Sequence, residues 1–215
     1  MSEKAWIPTM PRLLPREIAF GVLLASTSGA AILAHTLGPL PLSFTAPFVV
    51  LPAASLLASL MLLRRKLYQR LHLFSSHLMR GAGWGLLATL VYDAIRPLLR
   101  MIFGFTFDPY RAIPIFGQFM TGLPPTDSLA IAIGWLYHFW NGISFAMMFA
   151  LLRPQGGPIA GLIWAMVLQG LMMASYPSLL QIRVEDPGFL TMGLVGHGLW
   201  GILVGLGLKR GGRYA

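Results

Sequence analysis

Residues 129–152 read LAIAIGWLYHFWNGISFAMMFALL, a run without a single Asp, Glu, Lys or Arg. As an α-helix rising about 1.5 Å per residue, it is long enough to cross a hydrocarbon core of roughly 30 Å. Five further apolar stretches of similar length surround it, at 18–38, 43–63, 81–103, 158–180 and 189–208. Together they predict an all-α fold, a polytopic membrane bundle of six transmembrane helices forming one domain over 1–215. Lys4, Arg12 and Arg16 precede the first stretch in the manner of a secretory signal. That stretch is too long for a signal h-region and lacks an A-x-A site, so it reads as an anchor.

Composition agrees with a lipid-embedded body. The chain is 56% hydrophobic and only 11% charged, too little polar cover for a soluble core of this size. A formal charge of +9 raises nucleic acid as a partner, but the Lys and Arg sit at span ends rather than on one face, which points to anionic lipid instead. Cysteine is absent, so any metal or cofactor would be held by His, carboxylate or carbonyl groups.

The basic residues also orient the bundle. Lys4, Arg12 and Arg16 precede the first span, Arg64, Arg65, Lys66, Arg70 and Arg80 separate the second from the third, Arg153 follows the fourth, and Lys209, Arg210 and Arg213 close the chain. The alternate loops are uncharged (39–42) or of mixed charge (Asp108, Arg111, Asp127, then Arg183, Glu185, Asp186). The positive-inside rule therefore puts both termini on the cytoplasmic side, the membrane expected here being a prokaryotic inner membrane.

Two connections carry patterns of their own. In 64–80, Leu67, Leu71, Phe74 and Leu78 recur at helical spacing, while Arg64, Arg65, Lys66 and Arg70 form a basic cluster. This predicts an interfacial basic helix in contact with anionic headgroups, with a solvated cytoplasmic helix as the alternative. The outer loop, 104–128, is aromatic yet carries Pro109, Pro114, Pro124 and Pro125, a spacing that excludes a long helix. Either a partly re-entrant lid or an interfacial cover satisfies this composition.

An internal repeat stands in the last four spans. His138-Phe-Trp-Asn-Gly142-Ile143 and His197-Gly-Leu-Trp-Gly201-Ile202 both read H-x-x-x-G-I, in spans of the same direction. The preceding spans open on Gly81-x-x-x-Gly85 and Gly161-x-x-x-Ala165, and each carries a proline towards its outer end, Pro97 and Pro177. This suggests a parallel duplication of a helical hairpin, related by an axis along the membrane normal.

The polar residues share a depth. Counted from the outer ends of their spans, Asp93, His138 and His197 fall within roughly 3 Å of one another along the normal. Gln169 is near the middle of its span, and Asn141 lies one turn below His138. Ionisable groups at this depth cost on the order of 3 kcal/mol on insertion scales, and they persist where they face a partner, a cavity or a ligand. Asp93 and Arg96 are one turn apart and so predict an internal ion pair. Alternatively, Arg96 snorkels outward with Arg100 and leaves Asp93 to His138 or His197, a protonatable cluster. Pro97 removes the N–H that would bond the Asp93 carbonyl, exposing that acceptor.

These residues define the candidate site: Asp93, Arg96, His138, Asn141, Gln169 and His197. Two imidazoles at one depth also raise a haem or a metal bound by His138 and His197, and interhelical hydrogen bonding is the plainer use of the same residues. Gly142-Ile143-Ser144-Phe145, with His197, resembles the G-x-S-x serine and span-six histidine of rhomboid intramembrane proteases. Ser144 and His197 are roughly 10 Å apart in depth, beyond hydrogen-bond reach, which argues against that chemistry. In layout, Tyr137-His138-Phe139-Trp140-Asn141-Gly142 and Gly196-His197-Gly198-Leu199-Trp200-Gly201 resemble uncharacterised small polytopic inner-membrane families of bacteria and archaea in which H-x-x-x-G helices recur. The likeness covers 81–215 and implies a membrane bundle but no activity. The reading that results is a non-catalytic membrane subunit or small-molecule or ion carrier. A redox subunit holding haem or metal and an intramembrane enzyme acting on a lipid-soluble substrate are its alternatives.

Overall fold

A computed structural model describes residues 12–62 and 69–211, with the side chains of all of these except residues 69, 70 and 211. Among the described residues the chain is all-helical, with seven helices: α1 (Pro15–Leu37), α2 (Leu42–Leu62), α3 (Gln69–Phe103), α4 (Ala112–Thr121), α5 (Ser128–Leu152), α6 (Pro158–Leu180) and α7 (Pro187–Gly211). Four of them, α1, α2, α6 and α7, are long and apolar enough to cross a membrane. The other two long helices, α3 and α5, carry most of the polar residues of the interior.

Local chemistry sets the helix ends. Pro15 begins α1, and Glu17 accepts a hydrogen bond from the Leu14 N–H at 2.7 Å, satisfying a donor that the first turn leaves open. Asp127 caps α5 by accepting from the Leu129 N–H, and Asp186 accepts from the Phe189 N–H at the start of α7. In α2, Pro47 and Pro52 both lack the N–H of the helical ladder. The helix responds with a π turn over Ala46–Val50, closed by a bond from the Leu51 N–H to the Ala46 carbonyl.

The centre of the bundle is α3, with α5 packed on one side and α7 on the other; α1 and α4 pack on α5, and α6 packs on α7. Small residues let the backbones close. A Cβ built on Gly81 would lie 2.7 Å from the Met147 Cα, and one on Gly85 would lie 2.7 Å from the Ala146 Cβ. In the other hairpin a Cβ on Gly161 would lie 2.0 Å from the Gly201 carbonyl oxygen, and one on Gly201 would lie 2.5 Å from the Ala165 Cβ. Such approach suits helices that associate without a hydrophobic drive, through close van der Waals contact. The outer surfaces are apolar: Leu23, Leu136, Ile159 and Ile163 are each more than 60% exposed, whereas Ser28, Thr89, Asp93, Arg96, Ser144 and Gln169 are buried. Apolar surface outside and polar groups inside call for lipid as solvent.

The helix ends segregate by charge. Arg80 donates to the Leu208 carbonyl, the Gly157 N–H donates to the Gly205 carbonyl, and Arg153, Lys209 and Arg210 lie at this same basic end. At the opposite end Phe107 packs on Phe189, and the neighbouring connections are of mixed charge, with Asp108, Arg111, Asp127, Arg183, Glu185 and Asp186.

One expectation is corrected over the described residues: 69–80 does not form a separate interfacial helix. From Gln69 onward it is the first third of the continuous α3, and Phe74 and Leu78 are buried against Ala25, Leu57, Met147 and Leu151. The reason is that nothing interrupts the ladder before Pro97, and Gly81 and Gly85 are packed directly on α5. Arg64, Arg65 and Lys66, with the side chain of Arg70, lie outside the described residues. The segment 104–128, in turn, contains α4, because Pro114 stands in the first turn, where no intrahelical N–H is needed.

Candidate functional site

Asp93 is shared. One of its carboxylate oxygens takes a hydrogen bond from the Arg96 guanidinium one turn on, and His138 Nε2 lies 2.9 and 3.0 Å from the two oxygens. An ionised carboxylate only accepts, so the His138 proton sits on Nε2. The internal pair and the Asp93–His138 cluster therefore coexist. Arg96 is held further by the Pro109 carbonyl and lies over the rings of Tyr92, at 4.1 Å, and Tyr110, at 5.2 Å. The Asp93 carbonyl freed by Pro97 receives the Tyr110 hydroxyl at 2.9 Å. Burial pushes the Tyr110 phenol above its ordinary range against the opposing pull of Arg96, so it remains a donor at neutral pH. Through Arg96 and Tyr110, the connection after α3 is strapped to the ion pair.

His197 stands apart from this pair. Its Nδ1 lies 3.0 Å from the Gly193 carbonyl one turn back, and its ring meets Tyr92 edge-on, with centroids 4.9 Å apart. Tyr92 also contacts the His138 ring, at 6.0 Å. The tyrosine is thus the hub between the two histidines, a role that sequence depth alone did not reveal. Gly196 makes room for it, since a Cβ there would lie 2.7 Å from the Tyr92 ring. A tyrosine ring thus stands against both imidazoles, with His138 Nε2 turned to Asp93 and His197 Nδ1 to a backbone carbonyl. Among the described residues no three His, Asp or Glu side chains gather into a metal-holding group. Ser144 likewise does not meet His197: its hydroxyl bonds Ser28 Oγ at 2.9 Å and the Asn141 carbonyl at 3.1 Å.

A cavity of about 120 Å³ lies among α3, α4, α5, α6 and α7. It extends from Thr89 and Trp200 near mid-bundle to Phe107, Pro109, Ile182 and Phe189 at the end away from the basic residues. Arg96, His138, Asn141 and His197 line it, so four of the six expected residues share one space, and Asp93 stands behind Arg96 and His138. Asn141 is buried with its amide oxygen unpartnered. Gln169 does not belong to this wall. It is 1% exposed, packs against Gly193 and has no partner for either amide atom. Trp200 donates to Thr89 Oγ1 at 3.2 Å, closing the floor between α7 and α3.

Small residues close both hairpins: Gly81 meets Met147 and Ala146 and Gly85 meets Ala146 and Gly142, while Gly161 meets Gly201 and Gly205 and Ala165 meets Gly201. Two further matches escaped the sequence reading: Trp84 with Trp164, and Gly134 with Gly193, four residues before each histidine. In comparisons with known proteins, no family matches the chain, nor does any curated protein or solved structure.

At the basic end, His77 Nδ1 is buried without a partner. Burial first, and the positive charge of Arg80 second, hold its pKa below the ordinary 6.5. A depressed folded-state pKa in a histidine means that the unfolded chain binds more protons once the pH falls below 6.5, so stability is lost as the pH drops from there through the folded value. His77→Leu is expected to flatten this acid-side loss. Thermal unfolding in detergent at pH 7.5 and pH 5 checks it, and an unchanged difference between the two pH values refutes it.

Proposed function

We propose that the chain is a six-span inner-membrane protein of a prokaryote, with both termini in the cytoplasm, that works as a non-catalytic carrier or ligand-binding subunit. Its site is the cavity bounded by Arg96, His138, Asn141 and His197. The observation that carries this reading is the coincidence of a cavity with charged and polar groups at mid-bundle depth, where such groups are otherwise costly. The segregation of Arg80, Arg153, Lys209 and Arg210 to one end supports the orientation, and the small-residue contacts that close both hairpins support an origin of the two by duplication. The basic cluster at 64–70 gives anionic headgroups of the inner leaflet as partners, with other membrane subunits as the neighbours a non-catalytic subunit would serve.

The absence of cysteine makes the test direct, because one introduced thiol is the sole target. In intact cells or right-side-out vesicles, Met172→Cys on the cavity wall is expected to react with a small membrane-impermeant thiol reagent from the outer side, while Ile159→Cys, on the exposed apolar surface, stays unlabelled. Labelling of Met172→Cys from the inner side alone overturns the reading. A reporter fused after Ala215 is expected to be active in the cytoplasm; periplasmic activity would invert the whole topology.

A further inference from the structure

We infer that the cavity takes an uncharged, single-ring molecule bearing a hydroxyl group, a phenol being the simplest case. The inference rests on the cavity being a site open to the outer side. Electrostatics exclude the charged alternatives. The one guanidinium on the wall is already neutralised by Asp93, and Asp93 in turn is spent on Arg96 and His138. An anion therefore finds no uncompensated cation and a cation no free carboxylate, so either would pay its desolvation without return.

Size and surface narrow the class. An engineered apolar cavity of about 150 Å³ admits benzene. At about 120 Å³ this cavity is matched to one six-membered ring at most and excludes a fused system. Its walls are chiefly aromatic and thioether groups, Phe116, Phe145, Tyr176, Met172 and Met192 among them, which favour a flat apolar body. The hydroxyl is called for by Asn141, which is buried to more than nine-tenths, lines the cavity and has an unpartnered amide oxygen, an acceptor that needs a donor. A phenol is neutral at pH 7, since its pKa is about 10, and it can both donate and accept there.

The experiment uses Met172→Cys in the full chain in proteoliposomes and follows protection of the thiol, with Thr126→Cys on the outer connection as a control for changes in the reagent or the bilayer. The probes are phenol, toluene, benzoate and benzylammonium at equal concentration. Phenol is expected to slow labelling of Met172→Cys about fivefold more than toluene, the worth of one net hydrogen bond, and the two ions are expected to protect least. In an Asn141→Leu background, phenol and toluene are expected to protect within about twofold of each other. Protection by an ion equal to that by phenol, equal protection by toluene in the parent, no protection by any probe, or a phenol preference that survives Asn141→Leu overturns the inference. Labelling of Met172→Cys from outside without protection by phenol sinks the ligand class and leaves the open cavity standing; no labelling from outside sinks the cavity reading itself.

Discussion

Asp93→Leu is expected to cost about 3–5 kcal/mol of stability, because it leaves the Arg96 guanidinium buried without its counter-charge and His138 without its acceptor. The double variant Asp93→Leu with Arg96→Met should be less damaging than Asp93→Leu alone. Removing both charges abolishes the desolvation cost that one stranded charge incurs, even though the strap to Pro109 is lost with the arginine. Thermal unfolding of the purified variants in detergent, read as the fraction still folded after heating, measures both. A single-variant cost below about 1 kcal/mol, or two single costs that simply add, would mean that the pair is a surface-like contact rather than the keystone of the site.

The second large effect belongs to glycines that differ only in what lies opposite them. A Cβ on Gly117 would lie 1.7 Å from the Ala130 carbonyl oxygen, and one on Gly161 would lie 2.0 Å from that of Gly201, whereas Gly83 and Gly170 have nothing within 4 Å. Gly117→Ala and Gly161→Ala should each destabilise by about 3 kcal/mol, since a backbone carbonyl cannot step aside as a side chain can. Gly83→Ala and Gly170→Ala should be neutral or gain up to about 1 kcal/mol from the better helix propensity of alanine. The same unfolding assay separates the sets. Gly117→Ala has an added readout in faster labelling of a cavity thiol, because α4 is part of the outer cover. Equal behaviour of the four alanines would show that close backbone packing does not hold the hairpins.

How much of this was legible beforehand differs by level. The helices were readable because lipid demands long apolar runs, and the runs at 18–38, 129–152 and 158–180 fall almost residue for residue on α1, α5 and α6. The start of α3 was not readable: glycine clusters break soluble helices, and only the packing of Phe74 and Leu78 against three other helices shows why this one continues. α4 was hidden for the opposite reason, since four prolines in 104–128 mask the one short window in which Pro114 is harmless. At the site, shared depth drew Asp93, His138 and His197 to one level, because rise per residue is fixed, and of these His138 meets Asp93 directly. Rotation about each helix axis is not fixed by depth, so the sequence could not tell that His138 would take Asp93 while His197 turned to Gly193, or that Gln169 would face the hairpin contact instead of the cavity.

The cavity and the glycine-packed end together also determine where a membrane voltage would fall. Water reaching down to Arg96 and His138 would hold that level near the electrical potential of the outer medium. The drop would then be compressed into the half of the bundle closed by the contacts of Gly81, Gly85, Gly161 and Gly201. A charge entering through the cavity would cross little of the field, while the same charge continuing through the glycine-packed half would cross nearly all of it, about 2.3 kcal/mol for every 100 mV. An uncharged ring would cross either half without sensing the voltage.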